Sequence, residues 1–280
     1  MQPASHAPCS PLGSTDQAPQ PARRTAQAER AERLRDYLAL QLLFAEAVAT
    51  TTAISLDAAV AQCTNFYRRF GLGRWHDGSI APAWHTYTSH LLTLPTPAQR
   101  LAWTQAFLAQ SPPEPLPPGQ QQFGCFACDP PDAEGRVRIH FTNRDSDGSS
   151  PLSRSKMGQR QQDLQTMFTY VQHTYGEAAR SVLGGSWLYH LEAYRRLFPA
   201  IYGESRTVIE GTEQFRGTSR WGQFLDHRER VKPDLRAQFL HNLGTLDRQR
   251  LWAAFPLPTY QTQAPIQAFY DFYQITTRTA

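Results

Sequence analysis

Arg136-Val-Arg-Ile-His-Phe-Thr-Asn143 decides the fold class. Val137, Ile139 and Phe141 alternate with Arg138, His140 and Thr142. That two-residue period is the mark of a strand with one buried face. Asp145-Ser-Asp-Gly148 supplies a turn-rich exit. After it, Leu164, Met167, Phe168, Val171 and Tyr175 recur at helical spacing, which predicts a long helix over 153–175. Arg180–Leu188 reads as a second strand. Strand, long helix and strand predict a parallel βαβ unit.

Further on, a short helix from His190 to Pro199 and a third strand at Arg206–Glu210 are expected. Helices are predicted at Pro233–Leu246, Arg248–Ala254 and Ala264–Ile275.

Towards the N-terminus the period changes. Leu34, Tyr37, Leu38, Leu42, Ala45 and Val48 share one helix face. A second helix is expected from Leu56 to Phe70, stopped by Gly71, and a third over 83–92. Thr96, Pro97 and Gln99 spell an N-cap, a first-turn proline and a capping box for a fourth. Between the two patterns lies Ser111–Gly119, with five prolines in nine residues. Proline fixes φ and removes a donor, so this reads as a stiff linker. Residues 1–27, rich in Pro, Gln, Ala and Ser, are expected to be disordered. The expected organisation is therefore a tail (1–27), a small helical domain (28–110), the linker (111–119) and a mixed α/β domain (120–280).

Composition excludes several classes. Hydrophobic residues make up 40% and charged residues 19%, as in ordinary globular proteins. A net charge of +4 is low for a nucleic-acid binder. The densest basic stretch, Arg216–Arg236, also carries Asp226, Glu229 and Asp234, and reads as a solvated surface. The most apolar run, 37–56, is interrupted by Gln41, Glu46 and threonines, so no membrane span is expected. Arg23-Arg24 is not followed by an apolar core, which argues against an export signal. Four cysteines in a chain this long suggest a reduced, cytoplasmic protein. Only two of the 28 basic residues are lysines, a bias typical of a GC-rich, bacterial genome.

Cys125-Phe-Ala-Cys128 has the spacing of half a zinc site, but two further ligands are lacking. It is read as a loop pair, with no metal expected. Arg68-Arg-Phe-Gly-Leu-Gly73 contains a phosphate-cradling spelling, yet it ends a helix instead of opening one. A glycine stop explains it better. His76, His85 and His90 do not share one face and are read as loop and surface residues. His140 stands on the polar face of the core strand beside a polar exit, a position suited to acid–base work. Arg144 and Asp145 are its nearest charged neighbours in sequence. Gly184-Gly-Ser186 at the end of the second strand allows a close approach by another group.

His140-Phe141, Pro151-Leu152-Ser153 and Ser186-Trp187-Leu188 together resemble the C-terminal domain of GNAT-like acyltransferases, over about 90 residues. The resemblance implies a twisted mixed sheet with helices on both faces and acyl-CoA as co-substrate, without a tightly bound cofactor. It implies His140 as acid–base residue and Ser186 as a positioning donor. The order Arg138-Ile-His140 and Ser150-Pro-Leu-Ser153 also echoes histidine phosphatases, but Ile139 and Phe141 break that motif. The alternative function is a non-catalytic binding or scaffold protein of the same shape.

Overall fold

The computed structural model describes residues 20–73, 80–113, 115 and 117–276. Helices α1 (Gln20–Arg33), α2 (Arg35–Thr52), α3 (Leu56–Cys63), α4 (Phe66–Arg69), α5 (Pro82–Thr93) and α6 (Pro97–Gln110) come first. The linker leads into strands β1 (Gln121–Phe123), β2 (Phe126–Cys128) and β3 (Arg136–Phe141), helix α7 (Met157–Tyr175) and strand β4 (Ser181–Ser186). Then follow α8 (Glu192–Arg195), α9 (Ala200–Glu204), β5 (Thr207–Val208), α10 (Thr218–Trp221) and α11 (Pro233–Leu243). Strand β6 (Tyr260–Pro265) and helix α12 (Ile266–Phe272) close the described chain.

The fold is mixed α/β, with a helical region ahead of a six-stranded sheet of order β1-β2-β3-β4-β6-β5. The pair β3–β4 is parallel, joined by α7 as crossover, and the other pairs are antiparallel. Val137 and Ile139 are buried, and Phe141 packs beside them, as the alternation predicts. Their face is covered by Leu164, Met167, Phe168 and Val171 of α7 and by Ile266, Phe269 and Tyr270 of α12.

Gly184 is explained by this packing. A Cβ there would overlap the hydroxyls of Tyr189 and Tyr202. Those two buried hydroxyls bond each other at 2.8 Å against the strand backbone. The close approach expected at the glycine pair is thus made by two tyrosines.

Four local expectations are revised. Residues 20–27, read as disordered, are helical within α1. Their Gln, Ala and Arg content favours helix, and Gln27 Nε2 donates to the Leu108 carbonyl at 3.1 Å. The helix expected over 56–70 breaks at Thr64–Asn65. There Thr64 Oγ1 bonds the Val60 carbonyl, while the Asn65 amide N–H and Nδ2 turn to Gln41 and Tyr37. Such side chains compete with the backbone ladder. The Cys125–Cys128 loop is instead the turn and second strand of a β1–β2 hairpin, in which Phe123 pairs with Phe126. Gly124 makes the turn at φ +55°, where L side chains are strained. Finally, the helix expected from Ala264 starts at Ile266. The six residues before it form β6, paired with β4 along its whole length.

The segment 213–257, assigned from sequence to the α/β domain, packs elsewhere. Phe215, Trp221, Phe224, Phe239 and Phe255 belong to the same core as Tyr37, Phe44, Val60 and Phe66 of the helical region. No helix among the described residues is long and apolar enough to cross a membrane.

Candidate functional site

His140 is positioned by the hairpin register. Ala127 of β2 lies opposite it, which brings Asp129, just beyond the strand, within reach. His140 Nε2 lies 2.9 Å from Asp129 Oδ2, and both side chains are only partly exposed. Gln120 Nε2 donates to the other carboxylate oxygen, Oδ1, at 2.8 Å. An imidazole N–H facing a carboxylate at Nε2 leaves Nδ1 as the proton acceptor.

His140 lines a cavity of about 240 Å³ between the helical region and the first three strands. Arg30 of α1 and Arg68 and Arg69 of α4 come from one side. Cys125, Ala127, His140, Thr142 and Arg144 come from the other. Pro115 and Pro117 of the linker, with Gln120 and Gln122, complete the wall. None of the described lining residues is acidic. The linker is therefore part of the site as well as a connection. Gly71, at φ +67°, ends the segment that carries Arg68 and Arg69, and a Cβ there would press on Pro112. The glycine stop read from Arg68–Gly73 is present, and the arginines before it face the cavity that His140 lines.

Outside this lining, Glu229 engages the same arginines. Arg30 donates from Nη2 at 2.9 Å and from Nε at 3.0 Å to Glu229 Oε1. Arg33 and Arg69 stand at 3.7 and 3.9 Å. Burial pushes the Glu229 carboxyl up. The Arg30 hydrogen bonds and the charges of Arg30, Arg69 and Arg33 together outweigh that effect and hold it below its ordinary value.

The other residues singled out from sequence are placed as follows. Arg144 shares the His140 cavity, but Asp145 turns to Arg160 Nη2 at 3.2 Å and Lys156 Nζ at 3.6 Å. Ser186 is not in the lining. Its Oγ accepts the Leu188 N–H at 3.1 Å and caps a short 3-10 turn. Of the two residues expected to be catalytic, His140 alone lines this cavity. Cys125 and Cys128 are both buried free thiols. Burial raises the Cys125 thiol, and burial with the Asp129 charge pushes Cys128 up to about 12. Protonated thiols are poor metal ligands. Among the described residues no group of three or more His, Cys, Asp and Glu side chains is placed to hold an ion. His85 and His90 lie exposed on α5; His76 lies outside the described residues.

Sequence reasoning missed Asp129, Gln120 and Arg30. Asp129 becomes visible only once the β2–β3 register is known, and Arg30 meets His140 only through tertiary packing. No family model, no curated protein and no solved structure matches this chain.

Proposed function

We propose that the chain is an acid–base enzyme of acyltransferase type, with acyl-CoA as co-substrate and His140 as general base. The observation that carries the reading is the His140–Asp129 contact, fixed by Gln120 and open to a cationic cavity. A base held in one tautomer by a carboxylate is suited to activating a hydroxyl or amine. In acyl transfer the acceptor heteroatom attacks the thioester carbonyl carbon while its proton passes to Nδ1 of His140. The C–S bond then breaks, and the proton is returned to the departing thiolate. Arginines near the base favour the oxyanion that develops on the carbonyl. Ser186 has no part in this scheme, since its hydroxyl serves the backbone at Leu188.

The test is thiol release from acyl-CoA with a panel of small hydroxyl and amine acceptors. His140→Ala and Asp129→Asn should each lower turnover at least a hundredfold with unchanged unfolding midpoints. Absence of thiol release, with no calorimetric binding of millimolar acyl-CoA, would overturn the reading. It would leave the non-catalytic binding protein as the alternative.

A further inference from the structure

Among its described residues, the cavity wall carries guanidinium groups and no carboxylate. Four guanidinium groups come from three separate parts of the chain: Arg30, the adjacent pair Arg68 and Arg69, and Arg144. Guanidinium forks match the oxygens of phosphate and carboxylate geometrically, which a diffuse basic surface does not. The fold itself demonstrates the match, because the Glu229 carboxylate is held by both Nε and Nη2 of Arg30, with Arg69 and Arg33 close by. The remaining described lining residues are small or amide-bearing: Gln120, Gln122, Thr142, Ala127, Cys125, Pro115 and Pro117, beside His140. None is a Phe, Tyr or Trp, so the lining provides no ring on which a nucleobase would stack. At about 240 Å³ the space is also below the ~300–1,000 Å³ usual for drug-sized ligands.

We infer that the compound bound beside His140 is a compact phosphomonoester, its phosphate held by the arginine wall and its remaining hydroxyls by Gln120, Gln122 and Thr142. Within the acyl-transfer reading, on which this role rests, that compound is the acceptor. Its phosphate then places a hydroxyl or amine against the imidazole, and binding energy at a remote group positions the reacting one.

Calorimetry of the full chain with glycerol 1-phosphate tests the inference, with inorganic phosphate, glycerol and coenzyme A as comparison probes. Glycerol 1-phosphate and phosphate should bind while glycerol does not. Arg144→Ala should weaken phosphomonoester binding at least tenfold with an unchanged circular-dichroism spectrum, and Arg68→Lys should weaken it less. Glu229→Gln should tighten it several-fold, because the substitution removes an internal competitor for Arg30 and Arg69. That gain cannot arise from a folding defect. Arg196→Ala, exposed and outside the cavity lining, should change nothing.

Equal losses at Arg196 and Arg144 would reduce the effect to diffuse surface charge and overturn the inference. So would coenzyme A that displaces glycerol 1-phosphate and binds more tightly, since the cavity would then hold the donor. Phosphomonoester binding without thiol release would leave this inference standing and overturn the acyl-transfer reading instead.

Discussion

Glu229 has a left-handed backbone, φ +58°, unusual for a side chain larger than Asn. The conformation is set by a tight turn in which the Glu229 N–H bonds the Asp226 carbonyl and Asp226 Oδ1 accepts the N–H groups of Arg228 and Arg230. The turn delivers one carboxylate to Arg30, Arg33 and Arg69, and so ties the 226–230 segment to α1 and α4. Replacing it by Gln removes a charge-assisted, two-pronged bond. A loss of about 1.5–3 kcal/mol at neutral pH is expected in denaturant titrations. Because the folded-state pKa is depressed, the stabilisation is full above the ordinary value of 4.5 and disappears as pH falls through the lower folded value. The stability curves of the wild type and Glu229→Gln should therefore converge in acid, below about pH 4.5. A gap that stayed constant down to acid unfolding would show that the carboxylate charge is not the source. Nothing in the sequence around Glu229 signals this role; the arginines it serves lie about 160–200 positions away.

At the scale of elements, local chemistry was readable wherever the signal was local. The α6 start is the clearest case. Thr96 Oγ1 accepts the Gln99 N–H at 3.3 Å, and Gln99 Oε1 accepts the Thr96 N–H at 3.2 Å, with Pro97 in the first turn. Thr96→Ala should cost about 1 kcal/mol, measured as a lowered urea midpoint with unchanged slope. A neutral effect would mean that tertiary packing of α6 on α1 and α2, not the cap, holds that end. β3 and α7 were equally legible, because one face of each is apolar at its own period. β6 was not. Its inward residues Thr262 and Ala264 are small, so the alternation carries little hydrophobic contrast, and its strand state comes from pairing with β4. The β1–β2 hairpin is hidden for a related reason. Its strands have three residues each, too short to show a period.

At the scale of the whole molecule, the helical region is completed by chain that follows the first five strands of the sheet. Trp221 is fully buried among Tyr37, Phe44, Phe224, Phe239 and Phe255, and its indole N–H donates to the Cys63 carbonyl at 3.2 Å. Deleting a side chain of this size from a core costs about 3–5 kcal/mol. Trp221→Ala should therefore destabilise the helical region by that order, and a fragment ending before Glu213 should lack cooperative unfolding by calorimetry. A fragment of residues 20–119 that unfolded cooperatively would refute the shared core. The same interleaving builds the candidate site. Residues 20–69 and the linker form one wall, and β2, β3 and the loop after β3 form the other.

The sequence by itself determined the α/β class, the parallel β3–α7–β4 unit, the helical N-terminal region, the α6 cap and the placement of His140 on the polar face of its strand. These follow from periodicity, capping and turn chemistry, which act over a few residues. Only the tertiary structure decided that Asp129 and Gln120 orient His140, that Ser186 serves the backbone, and that Arg30, Arg68 and Arg69 face the imidazole across a cavity. Those relations depend on strand register and on packing between segments distant in the chain. No local pattern encodes them, because the free energy that fixes them comes from burying two cores, each assembled from segments distant in the chain.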